Sequence, residues 1–338
     1  MDQSRSLRIE LSANYSGRLR SVSSIPILKN DSYRIVDVEL DGDAPKQFIR
    51  AYFFEPGGKV FKHKPKTWRF FIAKTAEKWY PHESVVEYLI NEIGVVLGLK
   101  MNKTRLVRAN KQIRFLSQYF LDRRDQVMVH GAEVCGEYLQ DPEFAKEVAD
   151  DKNSARELFT FNFILEAIQA VFPMHCDTLL HDLVRMIVFD AIVGNNDRHF
   201  YNWAVVRAVK KEAFPPCFAP LYDSARGLMW NWNEDRVVLA CKHLPQGGKK
   251  VDNYIRKASP RISIEGHPTT NHFELVHYIW RKHTEFQTTI DSLITFSQED
   301  RVLNLYRNNF ARYFSAERNL LSEYILKNRF KLLRSVKE

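Results

Sequence analysis

The sequence predicts an α+β chain folded as two lobes, a small β-rich lobe followed by a larger helical one. Three observations carry this reading. Between Ser23 and Phe54 apolar residues come in short strand-like runs divided by Asp41-Gly-Asp43 and Pro56-Gly-Gly58. Later in the chain the apolar spacing changes to three and four residues, the period of a helix face. Between these regimes Asp122-Arg-Arg-Asp-Gln126 is a polar connector. The expected organisation is an N-lobe over 1–121, a hinge at 122–127 and a C-lobe over 128–338.

Within the first lobe, Tyr33–Leu40 and Gln47–Phe54 read as strands, and Trp68–Lys74 as another that ends in a lysine. After Pro81, residues Val85, Leu89, Ile93 and Val96 share a helix face, and Gly98 stops the pattern. Phe115–Leu121 reads as a further strand. In the second lobe, one helix is expected over Arg156–Val171, with Leu158, Phe161, Leu165 and Ile168 inward. Another runs from Thr178 to Val193, with Leu180, Leu183 and Ile187 inward, and Leu303–Phe314 and Leu320–Leu333 are amphipathic. No internal repeat or low-complexity linker interrupts the chain.

The Thr178–Val193 helix delivers Gly194-Asn-Asn-Asp-Arg-His-Phe-Tyr-Asn202, in which Asp197 and Asn202 stand five positions apart. That is the spacing of a phosphotransferase catalytic loop, where the Asp orients the acceptor hydroxyl and the Asn holds a Mg²⁺ that also touches the nucleotide phosphates. A second metal ligand is then needed, and Asp223 in Pro220-Leu-Tyr-Asp-Ser-Ala-Arg-Gly-Leu228 supplies it. The plainer reading of Gly-Asn-Asn-Asp is a turn, since these residues favour turns and caps; Asn202 and Asp223 together weigh against it. The two motifs indicate a site for ATP and Mg²⁺. Lys74, at a strand end, is the candidate anchor for the non-transferred phosphates, oriented by a carboxylate on the next helix. Glu83, Glu87 and Glu92 are available there, and Glu87 is the choice. Arg198 and His199 flank the base and read chiefly as groups that fix the loop, with Asp190 as its brace.

The chain has 338 residues, 45% of them hydrophobic, enough for a large core and against disorder. No apolar run approaches the ~20 residues that span a bilayer, and Met1-Asp-Gln-Ser-Arg-Ser6 opens without a signal-peptide core, so a cytoplasmic protein is expected. Cys135, Cys176, Cys217 and Cys241 are spread without metal-ligand spacing and read as thiols of a reducing compartment. The net charge of +9, from 50 Lys and Arg against 41 Asp and Glu, favours polyanionic partners. Lys59, Lys62, Lys64, Lys66, Arg69 and Lys74 fall in one stretch without an acid, either a solvated face or a phosphate contact.

Four segments, Phe70-Phe-Ile-Ala-Lys74, Glu87 with its helix ending in Leu97-Gly-Leu99, Gly194–Asn202 and Pro220–Leu228, give the sequence a resemblance to the HipA-like kinases, a bacterial branch of the protein-kinase-like fold. Asn271-His-Phe-Glu-Leu275 is a weaker match. The resemblance implies a two-lobed, ATP-dependent serine/threonine protein kinase, with Asp197 as base, Asn202 and Asp223 as Mg²⁺ ligands, and Lys74, paired with Glu87, as nucleotide anchor. Its acceptor would be a protein hydroxyl, on another chain or on itself. The departures are a start close to the kinase core and no G-x-G-x-x-G loop. In these the chain is more similar to the short HipA-like kinases that some bacteria secrete than to toxins with an antitoxin-binding domain. Pro56-Gly-Gly-Lys59 is a candidate phosphate cover, and Ser21, Ser23 and Ser24 a candidate regulatory segment, beside the plainer readings of turn and tail. Two rivals stay open. A phosphoinositide or small-molecule kinase has similar loops, although no basic amphipathic membrane helix is evident. A catalytically inactive kinase-fold protein would use the basic surface to hold nucleic acid or another polyanion.

Overall fold

The computed structural model describes residues 19–38, 46–76, 82–110, 112–121, 125–210, 214–244 and 248–337. The first lobe is an antiparallel sheet of β1 (Tyr33–Ile35), β2 (Lys46–Ala51), β3 (Arg69–Thr75), β4 (Thr104–Ala109) and β5 (Gln112–Gln118), in the order β1-β2-β3-β5-β4. Helix α1 (Glu83–Val96) connects β3 to β4. Strand alternation divides β3 into two faces. Phe71 and Ala73 are buried with Tyr33, Ile49, Ala51, Val107 and Leu116 on one side, while Phe70, Ile72 and Lys74 take the other. Helix α1 ends as expected, with Gly98 at φ +80°, a conformation that favours glycine.

Sequence and structure differ at several points in this lobe. The first expected strand ends at Ile35, and residues 39–40 of it lie outside the described residues. Strand β4 was not expected. The register also relocates the expected phosphate cover. Lys46 pairs with Lys74 at one end of the β2–β3 ladder and Ala51 with Arg69 at the other. Pro56-Gly-Gly-Lys59 follows Ala51, so it belongs to the end of the sheet remote from Lys74, about 17 Å away at ~3.3 Å per residue. The connection from β1 to β2 is the one at the Lys74 end, and its residues 39–45 lie outside the described residues. Ser24 packs near Tyr313, its Oγ donating to Ser21 O at 2.7 Å.

Of the expected hinge, residues 122–124 lie outside the described residues, and Gln126 and Val127 already belong to β6 (Gln126–His130). β6 pairs with β7 (Ala204–Ala208), and β7 with β8 (Cys217–Phe218). Between β6 and β7 lie α2 (Gly131–Leu139), α3 (Pro142–Asp150), α4 (Lys152–Leu158), α5 (Phe161–Val171) and α6 (Cys176–Val193). The single helix expected over 156–171 is therefore two. Phe159 leaves helical geometry, and Thr160 caps α5 with its hydroxyl, accepting from Phe163 N–H at 3.3 Å. A threonine before an apolar turn is a helix start, and that signal outweighs the continuous period.

After β8 come α7 (Glu234–Cys241), α8 (Lys249–Lys257), α9 (His272–Lys282), α10 (Gln287–Leu293), α11 (Phe296–Leu305) and α12 (Ala316–Arg334). The weakly matching Asn271–Leu275 segment opens α9 through a capping box of Asn271 and Glu274. The amphipathic stretch expected over 303–314 is the end of α11, a π-helical turn at Tyr306–Phe310 and a tight turn at Ala311–Tyr313. Helix α6 is the axis of this lobe, buried at every position from Met186 to Val193. A helix buried all round can only be central. No helix of the described residues is long and apolar enough to cross a membrane.

Candidate active site

The segment leaving α6 is fixed by its own sequence. Gly194 caps the helix at φ +69°, its N–H donating to Asp190 O, and a Cβ there would stand 2.6 Å from the Tyr254 hydroxyl. Both conformation and space demand glycine. In the loop beyond, the Asn195 side chain donates to Asp190 Oδ1 at 2.9 Å and accepts from Asp197 N–H at 3.3 Å. Asn202 Nδ2 donates to Asp197 O at 2.9 Å. The five-residue spacing thus closes a compact loop whose ends are tied by the asparagine amide.

Arg198 holds that loop against the next one. Its Nε and Nη2 donate to the two Asp190 carboxylate oxygens at 2.9 Å. Nη1 donates to Asn202 O at 3.0 Å and Tyr222 O at 2.6 Å, and Nη2 also to Ser224 Oγ at 2.7 Å. All five N–H donors of the guanidinium are engaged, and the side chain is 2% exposed. Asp190 braces the loop as expected, but through side chains of Arg198 and Asn195, while its backbone carbonyl takes the Gly194 and Asn195 amides.

Asp223, between the Tyr222 carbonyl and the Ser224 hydroxyl that Arg198 grips, has φ +52°, and Leu228 and Met229 farther along have φ +50° and +53°. Three non-glycine residues in the left-handed region within seven positions mark a strained loop. Gly227 allows it to approach α6, since a Cβ there would lie 2.7 Å from Val193 O.

From the other side of the cleft, Lys74 Nζ reaches Asp223 Oδ1 at 2.7 Å and Glu87 Oε1 at 2.8 Å. Of the three candidate glutamates, Glu87 is the one paired with Lys74; Glu83 faces Arg226 at 3.7 Å. Burial opposes the Lys74 charge, but Asp223 and Glu87 outweigh it and hold its pKa above the ordinary value. Burial raises Glu87 in spite of Lys74. Lys74 is the main reason the Asp223 carboxyl is held down at about 2. His82 fixes the start of α1 to the same loop, Nε2 meeting Trp230 O at 2.6 Å, and burial pushes its pKa down to about 3.

Asp197 has its own cations. Arg261 Nη2 lies 2.8 Å from Oδ1, and Arg226 Nε 3.9 Å from Oδ2. Arg226 also stacks over Trp230, 3.8 Å from the ring centroid. His199, two residues beyond Asp197, is held below its ordinary pKa, first by burial, against the pull of Asp197 and then Asp223. The structure therefore brings Lys74, Glu87, Asp197, Asn202 and Asp223 to one cleft between the lobes. It adds Arg261 and Lys46, which the sequence reading missed. Lys46 stands directly opposite Lys74 in the ladder, on the same sheet face, and its charge helps lower Asp223. Lys46 is set opposite Lys74 by the β2–β3 register, which strand alternation alone does not give, and no local pattern marks Arg261.

Among the described residues no cluster of three or more His, Cys, Asp or Glu gathers to hold a metal alone. The oxygen donors on the two loops, an amide and a carboxylate, suit Mg²⁺, which takes the rest of its shell from phosphates and water.

This architecture is the two-lobed, protein-kinase-like fold. The chain belongs to the family of the HipA-like C-terminal domain, whose model matches residues 38–286. Among solved structures it is similar to the Helicobacter pylori proinflammatory kinase CtkA, at 16% identity and a TM-score of 0.62 over 79% of this chain and 90% of that one. It also matches a chain of the Shewanella oneidensis MR-1 HipA, HipB and operator DNA complex, at 13% identity and a TM-score of 0.49 over 88% of this chain and 65% of that one. No curated protein matches its sequence.

Proposed function

We propose that the protein is an ATP- and Mg²⁺-dependent phosphotransferase that modifies serine or threonine hydroxyls of proteins, itself included. The observation that carries this reading is the meeting of Lys74 with both Glu87 and Asp223, at 2.8 and 2.7 Å, beside a loop that presents Asp197. Lys74, kept charged, would bind the non-transferred phosphates, with Glu87 holding its ammonium in place and Lys46 as a second cation. Asn202 and Asp223 would hold Mg²⁺, which when bound offsets the phosphate charge. Asp197 would orient the acceptor hydroxyl and take its proton as the γ-phosphoryl leaves ADP for the acceptor oxygen.

Incubation with labelled ATP, Mg²⁺, protein substrates and phosphoinositide vesicles tests this. Phosphoserine or phosphothreonine should appear with the wild-type protein, and Asp197→Ala should reduce it by about 10² or more. Equal incorporation by both proteins would exclude Asp197 as the base. Transfer to phosphoinositides but never to protein would replace the proposed acceptor class.

A further inference from the structure

The Asp197 carboxylate is already engaged by cations. Arg261 Nη2 sits 2.8 Å from Asp197 Oδ1, and Arg226 faces Oδ2. An incoming hydroxyl must compete with these cations for the oxygen it needs. Arg261 is not a loose surface group. Its segment is pinned by Arg156, which donates to the carbonyls of Pro260, Pro268 and Thr270. Its side chain is 21% exposed, and its buried Nε has no partner among the described residues. Among the described residues this guanidinium donates to Asp197 alone, and its side chain is partly exposed.

The surroundings add positive charge. Lys152, exposed at the start of α4, lies one helical turn before Arg156, which grips the carbonyl of Pro260 next to Arg261; after burial the two guanidinium charges lower its pKa, against the pull of Asp197. Among the described residues no carboxylate forms an ion pair with Lys152, and Arg156 is bonded to carbonyls only. Asp151 is the acid nearest in sequence, and it spends its side chain capping α4, accepting from Ser154 N–H at 2.8 Å. Asp197 thus faces two arginines, of which Arg226 also meets Glu83, while among the described residues Asp197 is the carboxylate that Arg261 bonds directly.

Resting on the phosphotransferase reading above, we propose that this site selects protein acceptors with a carboxylate side chain close to the target hydroxyl, bound by Arg261 and Lys152. The substrate carboxylate replaces Asp197 as the partner of Arg261, releasing Oδ1 to receive the acceptor hydroxyl. Arg226, anchored on Trp230 and Glu83, stays beside Oδ2. A neutral or basic acceptor gives Arg261 no substitute, so freeing the base costs it a charge-assisted hydrogen bond.

The test is a set of peptides, each with one serine in an alanine background and a single Glu or Lys at one flanking position, assayed with labelled Mg-ATP. At one or more positions the Glu peptide should exceed its Lys counterpart in kcat/KM by about tenfold or more, the scale of a charge-assisted hydrogen bond kept rather than lost. Arg261→Gln should bring that ratio close to one. Lys152→Glu, an exposed change, should lower or invert it, with an unchanged melting temperature showing that the fold is intact. Anisotropy of a labelled Glu peptide with a non-hydrolysable nucleotide should give weaker binding for both variants, a loss that a purely structural role of Arg261 would not extend to Lys152. Transfer without preference for Glu, or with preference for Lys, overturns the acidic-acceptor inference and leaves the kinase reading standing. Transfer to no peptide or protein overturns both.

Discussion

Arg198 and Lys74 are both cations held between polar neighbours in one cleft, and they are held for opposite ends. Arg198 is 2% exposed, pairs with an Asp190 that is 3% exposed, and has no donor left to offer a ligand. Lys74 is 13% exposed, and one of its two partners, Asp223, is 45% exposed on a strained loop. The first arrangement is finished by folding. The second keeps solvent access to one partner, and in the phosphotransferase reading proposed above it is the one that a nucleotide phosphate would enter. Permanence and exchange are written in the same chemistry and separated by solvent access.

Removing the permanent cation should do the most damage. Arg198→Ala leaves Asp190 buried and unpaired and should cost about 3–5 kcal/mol of stability, as breaking a buried pair does. Urea denaturation measures it, and a loss under ~1 kcal/mol would mean that the two loops are held by other means. Lys74→Met should act mainly on chemistry, raising KM for ATP, lowering kcat, or both. It should not be silent for folding, because Glu87 is 5% exposed and loses its partner; about 1.5–3 kcal/mol is expected by the same denaturation. Near-wild-type kinetics would shift the anchor role to Lys46.

A smaller effect is expected at the start of α1. In the fold His82 titrates at about 3, against an ordinary 6.5, so the unfolded chain binds more protons between these values and stability falls as pH drops through that window. His82→Gln should remove up to ~1.4 kcal/mol per pH unit of that slope, one proton's worth, read from denaturation at pH 7, 6 and 5. The remaining slope includes buried His272, also held well below its ordinary value. Tyr254→Phe should have the smallest effect. Its hydroxyl donates to Gly194 O at 3.0 Å and accepts from Met229 N–H at 3.3 Å, joining the two loops a second time. Its loss should cost about 1 kcal/mol, and a cost rivalling that of Arg198 would mean that Tyr254 holds the two loops together as firmly as the buried ion pair does.

The same contrast explains what was legible in the sequence. Local chemistry announces itself: Gly98 and Gly194 stop their helices, and Asp197 and Asn202 are tied within one loop, so spacing alone marks them. The Lys74–Glu87 pair was legible because a strand and the helix after it are consecutive. Arg261 was not, being sixty-four residues from Asp197 with only tertiary structure between them. Lys46 comes to Lys74 only through strand register. Thr160 carried a visible cap signal that the apolar period masked, and Pro56-Gly-Gly-Lys59 had the right composition at the wrong end of the sheet.

The grip of Arg198 also bears on the order in which the protein can assemble. Its acceptors sit at residues 190, 202, 222 and 224, with β7 and β8 laid down between the first pair and the second. Until that hairpin is in place the guanidinium must keep its water, and a half-built cleft would bury a cation short of acceptors. Partial assembly is therefore disfavoured, and the loops that carry Asp197 and Asp223 are expected to appear together or not at all. A folding fault anywhere between them yields a chain without a site rather than a chain with a defective one.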